Sequence, residues 1–377
     1  MTEITSQFIP QTNPKAGYLA QKCEIDEAIQ RVLDSGWYIL GAEVDAFESE
    51  FAEYLGVKHG IGVASGTDAL ELALRACDIC AGDVIFTVAH TAVATVAAIE
   101  SVGAIPVLLD IEPETLTLDP QALERAISSE WGSKAKAVIP VHLYGHPAAM
   151  RDIKEIAEQA GLFVVEDCAQ AHGAELFGRK AGAWGDIAAF SFYPTKNLGA
   201  LGDGGMVVTN NTEFAHRVRQ LRQYGWQNKK FSVIPGFNSR LDEIQAAILR
   251  VNLNKLDSMN ERRRSIANQY NAAFTSTGIR LPFCNSDAKH VFHQYVIRYS
   301  RRDEFRAFLR EHNIQTLIHY AKAVHHQPAY AGRVQVCGAL KNTEAAVQEI
   351  VSLPLYPELK DEEVERVTEI VAKWISL

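Results

Sequence analysis

Residues 163–209 read FVVEDCAQAHGAELFGRKAGAWGDIAAFSFYPTKNLGALGDGGMVVT. The apolar run 163–165 is short enough for a buried strand and ends in two acids, Glu166 and Asp167. A second apolar run, 187–192, carries Ser191; Tyr193-Pro194-Thr195 then turns the backbone and sets Lys196 beyond the strand's carboxyl end. In open α/β sheets, that edge is where ligands bind. The glycine-rich segment 197–205 lets backbone approach a bound group closely before another strand at 206–209. A lysine, an acid and a tight glycine loop are thereby directed at one pocket.

Those parts suit pyridoxal 5′-phosphate (PLP), which takes a lysine amine for a Schiff base and an acid to keep its pyridine nitrogen protonated. The segments EDCAQAHGA at 166–174 and SFYPTKNLGALGDGG at 191–205 resemble the DegT/DnrJ/EryC1/StrS family of sugar aminotransferases. The resemblance runs from about Gly17 to the C-terminus. It implies the α/β fold-type I aspartate aminotransferase architecture: a large αβα domain with a mostly parallel sheet, expected over residues 1–250, and a smaller α+β C-terminal domain over 251–377. It also implies a homodimer with shared sites.

A chain of 377 residues exceeds one ordinary core, and its 47% hydrophobic and 22% charged content is that of a globular protein. The net charge of −9 argues against a general nucleic-acid binder. No apolar run approaches the roughly 18 residues of a membrane span, and the start MTEITSQFIPQTNPKAGY has no signal-peptide pattern. A cytoplasmic location is expected. The six cysteines form no disulfide framework, and Cys77 with Cys80 makes a C-x-x-C without a second pair, so helix-end packing is expected there and no metal. Cys168 reads as space filling rather than a nucleophile.

From the start of the chain, an amphipathic helix at 24–33 leads to the connector Trp37-Tyr38-Ile39-Leu40, and Val44, Phe47, Phe51, Tyr54 and Leu55 recur at helical spacing. The connector resembles the family's substrate-lining segment, so Tyr38 either reaches the sugar or packs. After a strand at 59–64, Ser65-Gly66-Thr67-Asp68 opens a helix whose free N–H groups favour a phosphate. SGTDAL matches the family's phosphate loop, which assigns Gly66 and Thr67 to the PLP phosphate, with Ser191 adding a hydroxyl.

A strand at 84–87 runs to His90-Thr91-Ala92 and an alanine-rich helix ending at Val102, followed by a strand at 105–109. Relatives carry an aromatic residue at the position of Ala92, stacked on the pyridine ring; here His90 is the nearest planar side chain, either stacking instead or hydrogen-bonded in the structure. A strand at 137–141, the HLYG turn from His142 and a helix at 150–160 return the chain to Asp167. Alternating strands and helices argue for a largely parallel sheet. A nicotinamide dehydrogenase would need G-x-G-x-x-G after a first strand, and none is present.

Past a helix at 213–224, the basic stretch with Lys229 and Lys230 precedes Gly236-Phe237-Asn238-Ser239-Arg240-Leu241-Asp242-Glu243. This resembles the family's GxNSRLDE motif, whose asparagine reaches the partner subunit's PLP phosphate; read locally, Asn238-Ser239 is a helix cap. Arg240, Lys229 and Lys230 could anchor a diphosphate or be solvated surface. A helix is expected at 242–256, then in the smaller domain a helix at 260–274, a strand at 291–299, and helices at 303–312, 343–351 and 361–375. His319 and Tyr320, followed by His325-His326-Gln327-Pro328-Ala329-Tyr330, resemble a family segment that contacts the sugar nucleotide and includes no metal, with Ala321 in place of proline.

The resemblance thus implies amino transfer, with L-glutamate as donor, to a nucleotide-linked keto-6-deoxysugar. Residues 316–320 and 327–330 look more like C-3 than C-4 aminating relatives, which favours a dTDP-linked 3-keto-6-deoxyhexose; the 4-keto sugar is the alternative. Lys196 would hold the cofactor and move the proton, Asp167 would meet the ring nitrogen and Gln170 the ring O3′. Relatives that dehydrate sugars have histidine in place of the lysine, which Lys196 argues against. A silent regulatory protein on the same fold would need none of these groups.

Overall fold

The computed structural model describes residues 8–227, 230–275 and 277–377. Three helices come first, α1 Pro14–Ala20, α2 Lys22–Ser35 and α3 Ala42–Leu55. Strands and helices then alternate: β1 His59–Val63, α4 Gly66–Ala76, β2 Val84–Val88, α5 Val93–Ser101, β3 Ile105–Leu109, α6 Pro120–Ile127, β4 Ala135–Ile139, α7 Met150–Ala160 and β5 Phe163–Asp167. A small hairpin, β6 Glu175–Leu176 and β7 Arg179–Lys180, leads to β8 Ile187–Ser191, β9 Gly205–Thr209 and α8 Thr212–Leu221. The rest comprises α9 Glu243–Leu253, α10 Leu256–Phe274, β10 Ala288–Lys289, β11 Tyr295–Arg298, α11 Arg302–Glu311, β12 Gln335–Val336, α12 Lys341–Glu349, β13 Ile350–Leu353 and α13 Asp361–Ile375.

The main sheet has the order β1-β9-β8-β5-β4-β2-β3-β12. Only β9 runs against its neighbours; the other pairings are parallel. Strands covered on both faces must be apolar on both, and β2, VIFTV, is buried at every position. Its Val84, Phe86 and Val88 point into a core shared with α6 and α7, while Ile85 points into one shared with α4, α5 and α8. The alternation along the strand builds two helix layers around one sheet. On the outer side, Phe47 and Phe51 of α3 pack edge-on against Phe192 and Phe190, which ties α3 and α9 to β8.

Because β1, β2, β5 and β8 point the same way, their carboxyl ends share one edge. The loops that follow Val63, Val88, Asp167 and Ser191 therefore open onto a common crevice.

A separate core gathers α10, α11, α13, β11 and β13 around Tyr270, Tyr295, Phe305 and Trp374, with Ile9 from the N-terminal segment. Gln11 is buried here, donating its Nε2 to Gln294 Oε1 at 2.6 Å. In the other direction, β12 leaves this region to extend the main sheet beside β3.

Three expectations are corrected. The helix expected at 343–351 stops at Glu349, and Ile350 and Val351 begin β13, which pairs with β11. The strand expected at 291–299 is confined to Tyr295–Arg298, because residues 290–294 form a buried loop against Asn197. The single helix expected at 242–256 is broken after Leu253, and α10 starts at Leu256.

Candidate active site

Asp167 ends β5 with its carboxylate buried. Oδ2 accepts the Thr95 hydroxyl at 2.8 Å, and Oδ1 accepts the Ala169 N–H at 3.1 Å. Burial raises its pKa above the ordinary carboxylate range, opposed by these two hydrogen bonds and by the Lys196 charge. Glu166, one residue earlier, faces the other way, as alternation on a strand requires. It is buried and spends its oxygens on the N–H groups of Gly182, Trp184 and Gly185 and on His142. His142 accepts the Ala148 N–H at Nδ1, so Nε2 carries the proton it donates to Glu166 at 3.0 Å. The neighbouring Cys168 is packed in the core. Glu166 and His142 thus fix the 182–185 loop, with both carboxylate oxygens accepting two hydrogen bonds each.

Lys196 stands five residues past β8, on a turn closed by its own N–H to Tyr193 O at 2.8 Å. Loss of hydration lowers its pKa to about 8, while the charge of Asp167 pulls the other way. The next residue, Asn197, is buried and donates Nδ2 to Asn260 Oδ1 at 2.8 Å and to Val291 O at 3.0 Å. Its Oδ1 meets His293 Nδ1 at 3.2 Å. The lysine's backbone is thus pinned to α10 and to the 290–294 loop.

Helix α4 begins at Gly66, with Ser65 as its N-cap accepting the Asp68 N–H. A Cβ on Gly66 would stand 2.5 Å from that of Ser191, so only glycine lets the helix start this close to the end of β8. Leu70, Leu72 and Leu74 bury the helix body, each contributing about 1.5–3 kcal/mol. Gly66 thus sits beside the Ser191 hydroxyl, and the first-turn N–H groups of Gly66 and Thr67 have no acceptor among the described residues, an anion-binding arrangement. Ser239, absent from the expected site, is buried behind it, donating to Asp68 Oδ2 at 2.6 Å and accepting Ala64 N–H at 3.1 Å.

On the opposite wall, Gln170 accepts the Tyr144 N–H at 2.7 Å and donates Nε2 to the Tyr320 hydroxyl at 3.1 Å. His90 is buried, its Nε2 2.8 Å from the Tyr144 hydroxyl, which also donates to His319 O. His90 therefore lies edge-on to Tyr144, and burial holds its pKa down at about 4. His319 places Nδ1 2.8 Å from Ser352 Oγ; burial and then the Lys196 charge lower its pKa to about 4. Burial and the Asp167 charge push Tyr320 up to about 12. Tyr144 is the hub of this wall.

The remaining expected residues lie outside this cluster of contacts. Tyr38 is 50% exposed, with Trp37 and Ile39 beside it also exposed. Asn238 is exposed, and its backbone forms an antiparallel bridge with Gln223. Arg240 is half-buried, Lys230 sits 5.5 Å over the Trp226 ring, and Lys229 falls outside the described residues.

The chain matches the model of the DegT/DnrJ/EryC1/StrS aminotransferase family over residues 20–372 and belongs to that family. It is 46% identical to the dTDP-3-amino-3,4,6-trideoxy-α-D-glucose transaminase of Streptomyces venezuelae, across 97% of this chain and 96% of that one. Identity is 48% to the dTDP-3-amino-3,6-dideoxy-α-D-galactopyranose transaminase of Aneurinibacillus thermoaerophilus, across 93% and 95%. The crystal structure of S. venezuelae DesV in complex with a ketimine intermediate superposes with a TM-score of 0.95 at 45% identity, covering 98% of this chain and 99% of that one.

The fold is accordingly fold-type I, and the protein is a PLP-dependent aminotransferase. The residues present fit the cofactor: a buried, doubly hydrogen-bonded carboxylate, a lysine with a lowered pKa, and a helix start that only glycine can occupy.

Proposed function

We propose that the protein transfers an amino group from L-glutamate to C-3 of a dTDP-linked 3-keto-6-deoxyhexose. The observation that carries this reading is the match, along nearly the whole of each chain, to two transaminases named for dTDP-3-amino sugars. The lysine and acid of the site are intact as well, which a silent regulator would not need.

When bound, PLP supplies an electron sink for the carbon that carries the amine. Asp167, held by Thr95 and Ala169, keeps the proton on the ring nitrogen. Gly66, Thr67 and Ser191 bind the phosphate. One hydrogen of Gln170 Nε2 is taken by Tyr320, which leaves the second for the ring O3′. With a pKa near 8, Lys196 Nζ exchanges a proton readily at neutral pH, and it would be the group that takes a proton from the amine-bearing carbon and returns it once the cofactor is bound. His90, buried beside Tyr144, borders the ring position that relatives fill with an aromatic residue.

His319 and Tyr320 contact the sugar nucleotide; Tyr38 reaches the sugar, and Arg240 and Lys230, with Lys229 by sequence alone, anchor the diphosphate. Those roles for the second group require a homodimer. Supporting it, Trp37, Tyr38, Ile39, Phe231, Val233 and Phe237 are all more than a third exposed, an apolar load that marks a protein interface. Ile39 bridges to Asp242, which brings the two segments together. The six cysteines are free, in keeping with the cytoplasm, and among the described residues no helix is long and apolar enough to cross a membrane.

The test is to offer the dTDP-linked 3-keto and 4-keto sugars separately with L-glutamate and locate the new nitrogen by NMR. Nitrogen at C-3 is expected. Nitrogen at C-4, with no turnover of the 3-keto compound, overturns the substrate while leaving the transaminase in place.

A further inference from the structure

The short turn Val324–His326 meets α12 at the surface, outside the residues assigned to the cofactor. His325 Nε2 lies 3.4 Å and His326 Nε2 3.9 Å from the same oxygen, Glu344 Oε1. The two rings stand side by side, with centroids 3.9 Å apart. One ligand atom from each of the three residues falls within 4.8 Å of the others.

The His325–Glu344 spacing is that of a long hydrogen bond and also that of two ligands on one ion, with His326 slightly further out. A separation of 3.4 Å is long for a hydrogen bond, and 3.9 Å is none. A tetrahedral ion with bonds of about 2.05 Å to nitrogen and oxygen sets its ligands about 3.3 Å apart. The Nδ1 of His325 is buried without a partner among the described residues, which leaves Nε2 as the ring's outlet.

Both supporting segments are fixed. The Val324 N–H donates to Ala89 O at 3.0 Å. Asp110 accepts from Asn342 N and from both N and Oγ1 of Thr343, holding the first turn of α12. His319, the third histidine of this stretch, is bonded to Ser352 and takes no part.

We propose that His325, His326 and Glu344 form a site for a divalent transition-metal ion, zinc by ligand type, with water completing the coordination. The ion would tie the 324–326 turn, attached next to His90, to α12, which runs into β13 and Ser352. It stiffens the frame of the substrate wall and supplies no group to the reaction.

The experiment strips the full-length, PLP-loaded protein with a chelator and titrates it with Zn²⁺ alone by calorimetry, alongside a thermal melt. One zinc per chain is expected, with affinity reduced about tenfold or more in both His326→Ala and Glu344→Gln. The zinc-induced rise in Tm should vanish in the same two variants and persist in His216→Ala, an exposed histidine on α8. Because PLP and exposed cysteines also bind zinc, the variants decide the question. Parent-like binding in either His326→Ala or Glu344→Gln overturns the site, as does the absence of micromolar binding by the parent protein.

Discussion

The Thr95 hydroxyl donates to Oδ2 of Asp167 at 2.8 Å, joining α5 to the end of β5 at the acid proposed to meet the cofactor's ring nitrogen. The bond favours the ionised carboxylate against the burial that raises its pKa. Thr95→Val keeps the shape and deletes the donor, and Asp167→Asn deletes the charge. Bonds to charged groups contribute about 1.5–3 kcal/mol, so Thr95→Val should slow the glutamate half-reaction by roughly tenfold or more. Asp167→Asn should cost at least about a hundredfold. Both are read by stopped-flow absorbance, and a normal rate in Asp167→Asn would remove Asp167 from that role.

Lys196, with a pKa of about 8, makes a prediction about pH. The neutral amine is the nucleophile that captures PLP. Capture by cofactor-free protein should therefore accelerate as pH rises to about 8 and then level off, whereas a lysine at its ordinary 10.5 would keep accelerating. The linked stability has a definite sign. Below pH 8 the amine is protonated in both folded and unfolded chains and the burial penalty is full; between 8 and 10.5 the unfolded chain binds more protons, so stability rises with pH. Asp167→Asn removes the charge that supports protonation and should move the capture midpoint lower. Capture rates still climbing above pH 10 would contradict the burial of this amine.

Glu166 is a structural acid. Gln at this position would turn an amide N–H toward backbone N–H groups that now find acceptors. Glu166→Gln should destabilise the protein by about 2–4 kcal/mol in denaturant melts, with the loop 182–185 first to lose protection from hydrogen exchange. Parent-like stability would contradict this account.

The contrast between Glu166 and Asp167 shows how far the sequence could be read. The strand, its end and the pair of acids were legible from the apolar run and its polar stop, yet adjacent residues on a strand serve opposite faces, and only packing shows what each face holds. Gly66 was legible through its motif for a steric reason, since a side chain there would meet Ser191, and Lys196 was singled out through its motif for the covalent chemistry proposed for it. Thr95 was not, since a threonine one turn into an alanine-rich helix carries no local mark of its partner 72 positions away. Tyr144 and Asn197 were missed in the same way, although both lay inside quoted motifs. Ile350 and Val351 continue an apolar pattern that suits a helix or a strand, and pairing with β11 decides it. The two-residue β12 is too short for any periodicity and exists because β3 offers it an edge.

Asn238 supplies the last prediction. Its neighbour Ser239 is bonded to Asp68 and Ala64 of its own chain, whereas the Asn238 side chain is exposed and has no hydrogen-bond partner among the described residues. An exposed amide without a partner among the described residues of its own chain, in a segment lined by exposed Phe237 and Phe231, suits the proposed role across a dimer. Asn238→Ala and Lys196→Ala chains should each be impaired alone. Mixed and allowed to exchange, they form hybrids in which one site carries both lesions and the other neither. Half of randomly re-paired dimers are hybrids with one whole site, so roughly a quarter of parental activity should return. If exchange is verified by mass and no activity returns, Asn238 serves its own subunit or none.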